Sequence, residues 1–216
     1  MARGLTESDV AGFRERLCEA AALLFVERGP GAFNMRELAG RLGVSAMTPY
    51  RYFKDKNEIL SVVRARAFRR FADRLEAAHA TDGSQLEKSG AMGRAYIAFA
   101  LEEQTNYRLM FDLSQPSGIG IPELDREEHR ARALMRAHVD MLVAMGVLEG
   151  DPAMIAKILW AALHGVIVLH LGGKLAAVNL DQLLAETMRV VANAYRPVKV
   201  MSYPEIPPAH EWPTVP

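Results

Sequence analysis

One short stretch of this chain gathers side chains that suit base-pair edges and the phosphates beside them: Asn34, Arg36, Ser45, Met47, Thr48, Tyr50, Arg51, Tyr52 and Lys56. Met47 offers an apolar end to a thymine methyl, Thr48 a hydroxyl to a base or a phosphate, and Arg51 a planar fork that matches guanine edges or phosphate oxygens. Lys56 supplies a positive charge for a phosphate at the start of the following helix. Asn34 and Arg36 open the preceding helix, where unpaired amides and the positive helix end favour an anion; they would position rather than specify. Each of these residues also has a plainer use. Tyrosines at helical spacing usually pack half-buried, and Arg51, Lys54 and Lys56 taken alone are an ordinary solvated basic run. Phe53 and Val44 are assigned to the core.

The elements that must hold these side chains are short helices. From Ser8 to Arg28 the apolar positions Val10, Phe13, Leu17, Ala20, Ala21, Leu24 and Phe25 recur three and four apart, and Gly29-Pro30-Gly31 ends the run. Asn34 with Glu37 forms a capping-box pattern ahead of Leu38, Ala39 and Leu42, which Gly43 interrupts after two turns. Ser45 then caps a third helix carrying Met47 to Phe53. Pro49 leaves its start open: with Ser45 as cap the proline falls at the edge of tolerance, with Thr48 as cap it takes the favoured first position. Two short helices around a glycine turn outline a helix-turn-helix, whose second helix can enter a major groove. Charge agrees: residues 1–78 hold 14 Lys and Arg against 10 Asp and Glu, whereas the remainder holds 12 against 16.

The order and spacing of several motifs over about residues 13–63 carry a resemblance. Ala20-Ala21-Ala22-Leu23-Leu24-Phe25-x-x-x-Gly29, Met35-Arg36-Glu37-Leu38-Ala39, Gly43-Val44-Ser45, Tyr50-x-Tyr52-Phe53 and Lys56 together resemble the DNA-binding domain of the TetR family of bacterial transcriptional regulators. Further on, Tyr107-Arg108-Leu109-Met110-Phe111 and Trp160-x-x-x-His164-Gly165 resemble one subgroup of that family's regulatory domains. The resemblance implies an all-helical homodimer on double-stranded DNA, with Tyr50 and Tyr52 reaching backbone phosphates. It also implies a ligand pocket in each C-terminal domain and pairing of the last two long helices across a two-fold axis.

The rest of the chain reads as helices too, giving an all-α fold of about nine. Asp55, with Glu58 completing its box, starts a long helix to His79, and Ser84 with Glu87 starts another to about Gln104. A shorter helix follows, then a loop over 114–121, a helix from Pro122 to about Met145, one over 151–172, and a last one from Asn179. The expected organisation is a helix-turn-helix domain at 1–56 and a helical ligand-binding and dimerisation domain at 57–196, with 57–79 as connecting helix. A proline-rich tail occupies 197–216. The helices at 151–172 and 179–196 are apolar on more than one face, a surplus that suggests a second copy of the chain.

Phe68, Phe71, Tyr96, Phe99, Met110, Phe111, Met135, His138, Trp160 and His164 are the candidates to line an apolar cavity with a few polar anchors, suited to a small apolar or amphipathic effector. The plainer reading makes most of them packed core. The histidines have no carboxylate or cysteine at ligand spacing, and neither a nucleophile elbow nor a phosphate-binding loop occurs, so neither metal, cofactor nor catalysis is expected. With 216 residues, 26 basic and 26 acidic, the chain is long enough for a sizeable core and gives no bulk charge signal for a partner. The lone Cys18 excludes an intrachain disulfide and suits the cytoplasm. The apolar run Ile158 to Gly172 is read as a buried helix too short to span a membrane. The expected function is operator binding, as a repressor released by a lipophilic ligand. The rival is a helical ligand-binding or enzymatic dimer that ignores DNA.

Overall fold

The computed structural model describes residues 6–28, 34–111, 121–175 and 178–197. Among them are eight α-helices, one 3-10 turn and no strand. The helices are α1 (Glu7–Arg28), α2 (Met35–Arg41), α3 (Lys56–His79), α4 (Gln85–Glu102), α5 (Gln104–Met110), α6 (Pro122–Ala144), α7 (Pro152–Leu171) and α8 (Leu180–Ala194). The 3-10 turn, Pro49–Arg51, lies between α2 and α3. Residues 112–120 and 198–216, which hold most of the loop expected at 114–121 and of the tail expected at 197–216, lie outside the described residues.

Local chemistry sets most of the helix ends. Asn34 Oδ1 accepts from the amides of Arg36 and Glu37, both at 3.0 Å, while Glu37 reaches back to the Asn34 amide, so the capping box is complete. Ser84 and Glu87 close a second box at α4. Asp151 and Asn179 cap α7 and α8 through their side chains. At α3 the box stays open: Asp55 accepts from the Glu58 amide at 2.9 Å, but the Glu58 carboxylate goes one residue further, to the amide of Lys54. At the end of α2, Gly43 takes φ +66°, the Val44 amide bonds back to Ala39 O and the Gly43 amide to Gly40 O. That is a Schellman closure, which needs a residue free to adopt a left-handed conformation.

The segment after it departs from the sequence expectation. In place of an α-helix from Ser45 to Phe53, the chain makes successive three-residue turns, with bonds from the Thr48 amide to Ser45 O, the Arg51 amide to Thr48 O and the Tyr52 amide to Pro49 O. Only Pro49–Arg51 qualifies as a helical element. Pro49 has no N–H to give to Ser45 O, so the first α-turn cannot close from a Ser45 cap. The Ser45 hydroxyl instead meets the Thr48 hydroxyl at 2.8 Å, and the proline falls at the first helical position behind Thr48.

Two cores are stacked along α3. The first joins Leu17, Ala21, Leu24 and Phe25 of α1 to Met35 and Leu38 of α2, Phe53, and Ile59, Leu60 and Val63 of α3. The second takes over from Ala65 and packs Phe68, Phe71 and Leu75 against Met92, Tyr96 and Phe99 of α4, Tyr107 and Met110 of α5, and residues of α6, α7 and α8. One helix of 24 residues, about 36 Å long, is therefore structural to both. Arg64 sits where they meet, 6% exposed, with Nη2 on the Met110 carbonyl at 3.5 Å and on Glu128 at 3.2 Å. Arg130 of α6 holds α3 further along through Asp73 at 2.7 Å and through Glu76. Cys18 is buried and its thiol is pushed up to about 11 by desolvation, which makes it an inert apolar filler.

Candidate nucleic-acid interface and regulatory cavity

The first core presents one face outward around the 3-10 turn. Pro49 and Phe53 point inward and are buried, whereas Met47 is 68% and Tyr50 49% exposed, and Arg36, Ser45 and Arg51 are also exposed. Two inward anchors on a tight turn thus hold Tyr50 and Arg51 toward solvent. Thr48 is partly buried, its hydroxyl shared with Ser45. Lys56 stands at the first position of α3, partly buried. Asn34 spends its carbonyl oxygen on the α2 cap, so its part on this face is to shape the helix start.

The Tyr52 ring is partly buried and packs on Phe13 with centroids 4.9 Å apart. Arg14 of α1 joins this region without having been a sequence candidate. Its guanidinium donates to the Tyr52 carbonyl and lies 4.1 Å from the Phe53 ring centroid, fastening the end of the turn to α1. Nothing in the spacing of α1 marks Arg14, because the signal is a contact across 38 residues. Val44 is only partly buried and lies outside the first core. Two exposed ion pairs, Arg28 with Glu37 at 2.7 Å and Arg41 with Glu27 at 2.6 Å, tie α2 to α1.

The second core borders a partly open cavity of about 280 Å³ between α3, α4, α6, α7 and α8. Leu75, Met92, Tyr96, Met135, His138, Leu142, Trp160, Leu163 and Met188 contribute to its wall, and no Lys, Arg, Asp or Glu does. Of the ten sequence candidates, Tyr96, Met135, His138 and Trp160 line it. Phe111 and His164 instead line a separate depression of about 420 Å³ beside α5 and α7, with Tyr107 and Arg108. Phe68, Phe71, Phe99 and Met110 line neither; they are packed core, and Phe71 and Phe99 are fully buried. The structure thus divides the aromatic set by location, which side-chain type alone could not do.

A hydrogen-bonded chain joins the two hollows. The Tyr96 and Tyr107 hydroxyls are 2.9 Å apart, and the Tyr107 hydroxyl is 2.8 Å from His164 Nδ1. Burial pushes Tyr96 up to about 12 and Tyr107 further up, and pushes His164 down, so the chain is uncharged at neutral pH. On the opposite wall His138 Nε2 is 2.9 Å from the Ser89 hydroxyl, and desolvation, with the nearby charge of His79 second, lowers its basicity.

Along α7 only Ile155, Leu163 and Ile167 are buried. Met154, Val168 and Leu169, with Val190 of α8, expose between 46% and 59% of their surface. At 20 residues and a mean hydropathy of 1.8, α7 is long and apolar enough to cross a membrane by length and composition alone, and it begins six residues before the apolar run Ile158 to Gly172 read from the sequence. Its contacts with α4, α6 and α8 give it a place in the fold.

An N-terminal helix-turn-helix on a long helix that runs into an all-helical second core is the build of a transcriptional regulator. Comparison with known proteins narrows the class. Residues 17–63 match the model for bacterial regulatory proteins of the tetR family, and residues 90–191 match a tetracyclin repressor-like C-terminal domain. The chain is 31% identical over 99 residues to the HTH-type transcriptional activator FasR of Mycolicibacterium smegmatis, a stretch covering 46% of this chain and 45% of that protein. The chain thus matches under half the length of this curated relative. Among solved structures, a protein of unknown function from Rhodococcus sp. RHA1 superposes with a TM-score of 0.71 at 24% identity, over 84% of this chain and 94% of that one. The TetR family regulator PfmR from Thermus thermophilus superposes with a TM-score of 0.66 at 22% identity, over 82% of this chain and 97% of that one. The chain belongs to the TetR family of transcriptional regulators.

Proposed function

We propose that this protein is a cytoplasmic repressor that binds a palindromic operator as a homodimer and leaves it when a small lipophilic molecule occupies the cavity of the second core. The observation that carries the reading is the turn at Pro49–Arg51, anchored inward by Pro49 and Phe53 with Met47, Tyr50 and Arg51 outward. Met47, Thr48 and Arg51 read base edges, while Tyr50, Tyr52 and Lys56 meet phosphates and Asn34, Arg36 and Ser45 set the approach. Residues 1–56 act as the DNA-binding domain and 57–196 as the ligand-binding and dimerisation domain. The exposed apolar face of α7 and α8 pairs with the same face of a second copy, placing two recognition turns in successive major grooves about 34 to 36 Å apart.

The helix α3 couples the two functions. Leu75 lines the cavity, Ile59 and Leu60 fill the first core, and Leu75 and Lys56 are about 28 Å apart along the helix axis. A ligand that displaces Leu75 tilts the recognition turn. Weakening operator binding about 10- to 100-fold needs a preference of roughly 1.4 to 2.7 kcal/mol for the tilted state, within the usual range for coupled sites. An activator is the second reading, favoured by the similarity to the transcriptional activator FasR. Footprinting on the DNA flanking the protein's own gene, with transcription measured in a strain lacking it, tests both. A protected palindrome with raised transcription supports the repressor, lowered transcription supports the activator, and no protected site refutes both.

A further inference from the structure

The hydrogen-bonded chain from Tyr96 through Tyr107 to His164 has a direction, because each tyrosine hydroxyl has one proton to give. Among the described residues, the Tyr96 oxygen meets only the Tyr107 hydroxyl, at 2.9 Å, and the Trp160 indole, which lies near enough to favour the ionised form of Tyr96. An indole nitrogen donates and never accepts. If Tyr107 gave its proton to Tyr96, the Tyr96 proton would have no acceptor, and Tyr96 is only 4% exposed. A buried donor without a partner costs more than an ordinary hydrogen bond contributes. Tyr96 therefore donates to Tyr107, and Tyr107 donates to His164 Nδ1 at 2.8 Å. An accepting Nδ1 on an uncharged ring puts the ring proton on Nε2.

None of the described residues pairs with His164 Nε2, and it is not among the buried atoms that lack a partner, so this N–H meets solvent. Beside it is the depression of about 420 Å³ that His164 lines with Arg108, Phe111, Val168 and Leu171. Among the described residues lining it, Arg108 alone is charged. Its Nη2 donates to the Leu171 carbonyl at 2.9 Å, which holds the guanidinium at this end of α7 and engages one of its five N–H groups. We infer that this depression is a second ligand site and that it takes a small carboxylate, whose oxygens accept from His164 Nε2–H and from Arg108 while its apolar body lies against Phe111, Val168 and Leu171. The anion follows from a cation and an N–H donor in a wall without a carboxylate. The cavity proposed above for the lipophilic effector differs in this respect, since its wall carries no ionised side chain. Val168 also belongs to the face of α7 proposed to meet a second copy, so the site is tested in the protein as it assembles in solution.

The probe is hexanoate, with hexanamide as its uncharged counterpart of the same shape, added to the full chain. Long-range nitrogen-proton spectra of the imidazoles distinguish a protonated ring nitrogen from an unprotonated one, and His164→Gln assigns the His164 signals among the six histidines. Above neutral pH His164 should carry its proton on Nε2, and hexanoate, with a Kd of about 1 mM, should move that nitrogen's signal. Arg108→Gln should weaken hexanoate about threefold to tenfold and hexanamide by less than about twofold, and Arg108→Lys should restore most of the loss. If the Gln variant does not fold, the spectra of the unsubstituted protein decide. A proton on Nδ1, hexanamide bound as tightly as hexanoate, bound hexanoate that leaves His164 unmoved, or no binding of hexanoate overturns the inference. Neither DNA nor a lipophilic effector enters these measurements, so failure of the operator reading is seen separately in the footprint.

Discussion

Replacing Tyr107 by Phe removes one oxygen from the middle of a buried chain and is the sharpest stability test of the second core. Tyr107 is 1% exposed, and its hydroxyl is the partner of both Tyr96, at 2.9 Å, and His164 Nδ1, at 2.8 Å. The ring itself and its contacts with Phe111 and His164 stay in place, so little apolar burial is lost. The cost is two hydrogen bonds and two groups left without their partner. Tyr96 is buried and loses more, while His164 is only partly buried and recovers part of its loss. At about 1 kcal/mol for the bond to the more exposed end and about 1 to 2 kcal/mol for the buried end, the expected loss is roughly 2 to 3 kcal/mol. For a chain of this size that lowers Tm by about 4 to 12 °C. Circular dichroism melts and urea titration of both proteins measure it, with the urea m-value unchanged. A loss below about 0.5 kcal/mol, less than one ordinary hydrogen bond, would refute the claim that this hydrogen-bonded chain is fully formed.

Other expectations follow from single features. Gly43→Ala places a Cβ in open space but at φ +66°, so it should cost about 1 kcal/mol through backbone conformation alone and weaken DNA binding by shifting the turn. Asn34→Ala removes the cap of α2 and should cost about 1 kcal/mol in thermal unfolding, with all DNA sequences affected alike. Lys56→Ala should lower the slope of log affinity against log salt by about 1 on every duplex, whereas Thr48→Ala should change sequence preference; filter binding on paired duplexes separates the two. His138 and His164 are less basic folded than unfolded, so the unfolded chain takes up protons first. The stability they lend is complete above about pH 6.5 and falls as pH drops below it. Urea titrations from above neutrality down into the mildly acidic range should show that fall, and replacing both rings by Gln should flatten it.

Much of the fold is legible because helix ends are written locally. Asn34 with Glu37, Ser84 with Glu87, Asp151 before Pro152, and Asn179 each declare a start through side chains that reach only two or three residues. The recognition segment is harder, since a one-residue choice of cap decides whether Pro49 is tolerated, and the missing N–H resolves it toward a 3-10 turn. Arg14 and the division of the aromatic residues are not legible at all. Helical periodicity tells which face is buried, yet a phenylalanine that fills a core and a tyrosine that borders a void have the same spacing. Phe71 and Tyr96 show it: their ring centroids are 5.2 Å apart, and only Tyr96 reaches the cavity.

The most direct measurement is selection from a randomised duplex pool, followed by footprinting and titration of the selected sequence at low ionic strength. Two protected half-sites related by a dyad, with centres one helical turn apart, bound by two chains and weakened by substitution at Thr48 and Lys56, is the predicted result. A dimer that enriches no sequence and binds every duplex alike, with or without those substitutions, would contradict it.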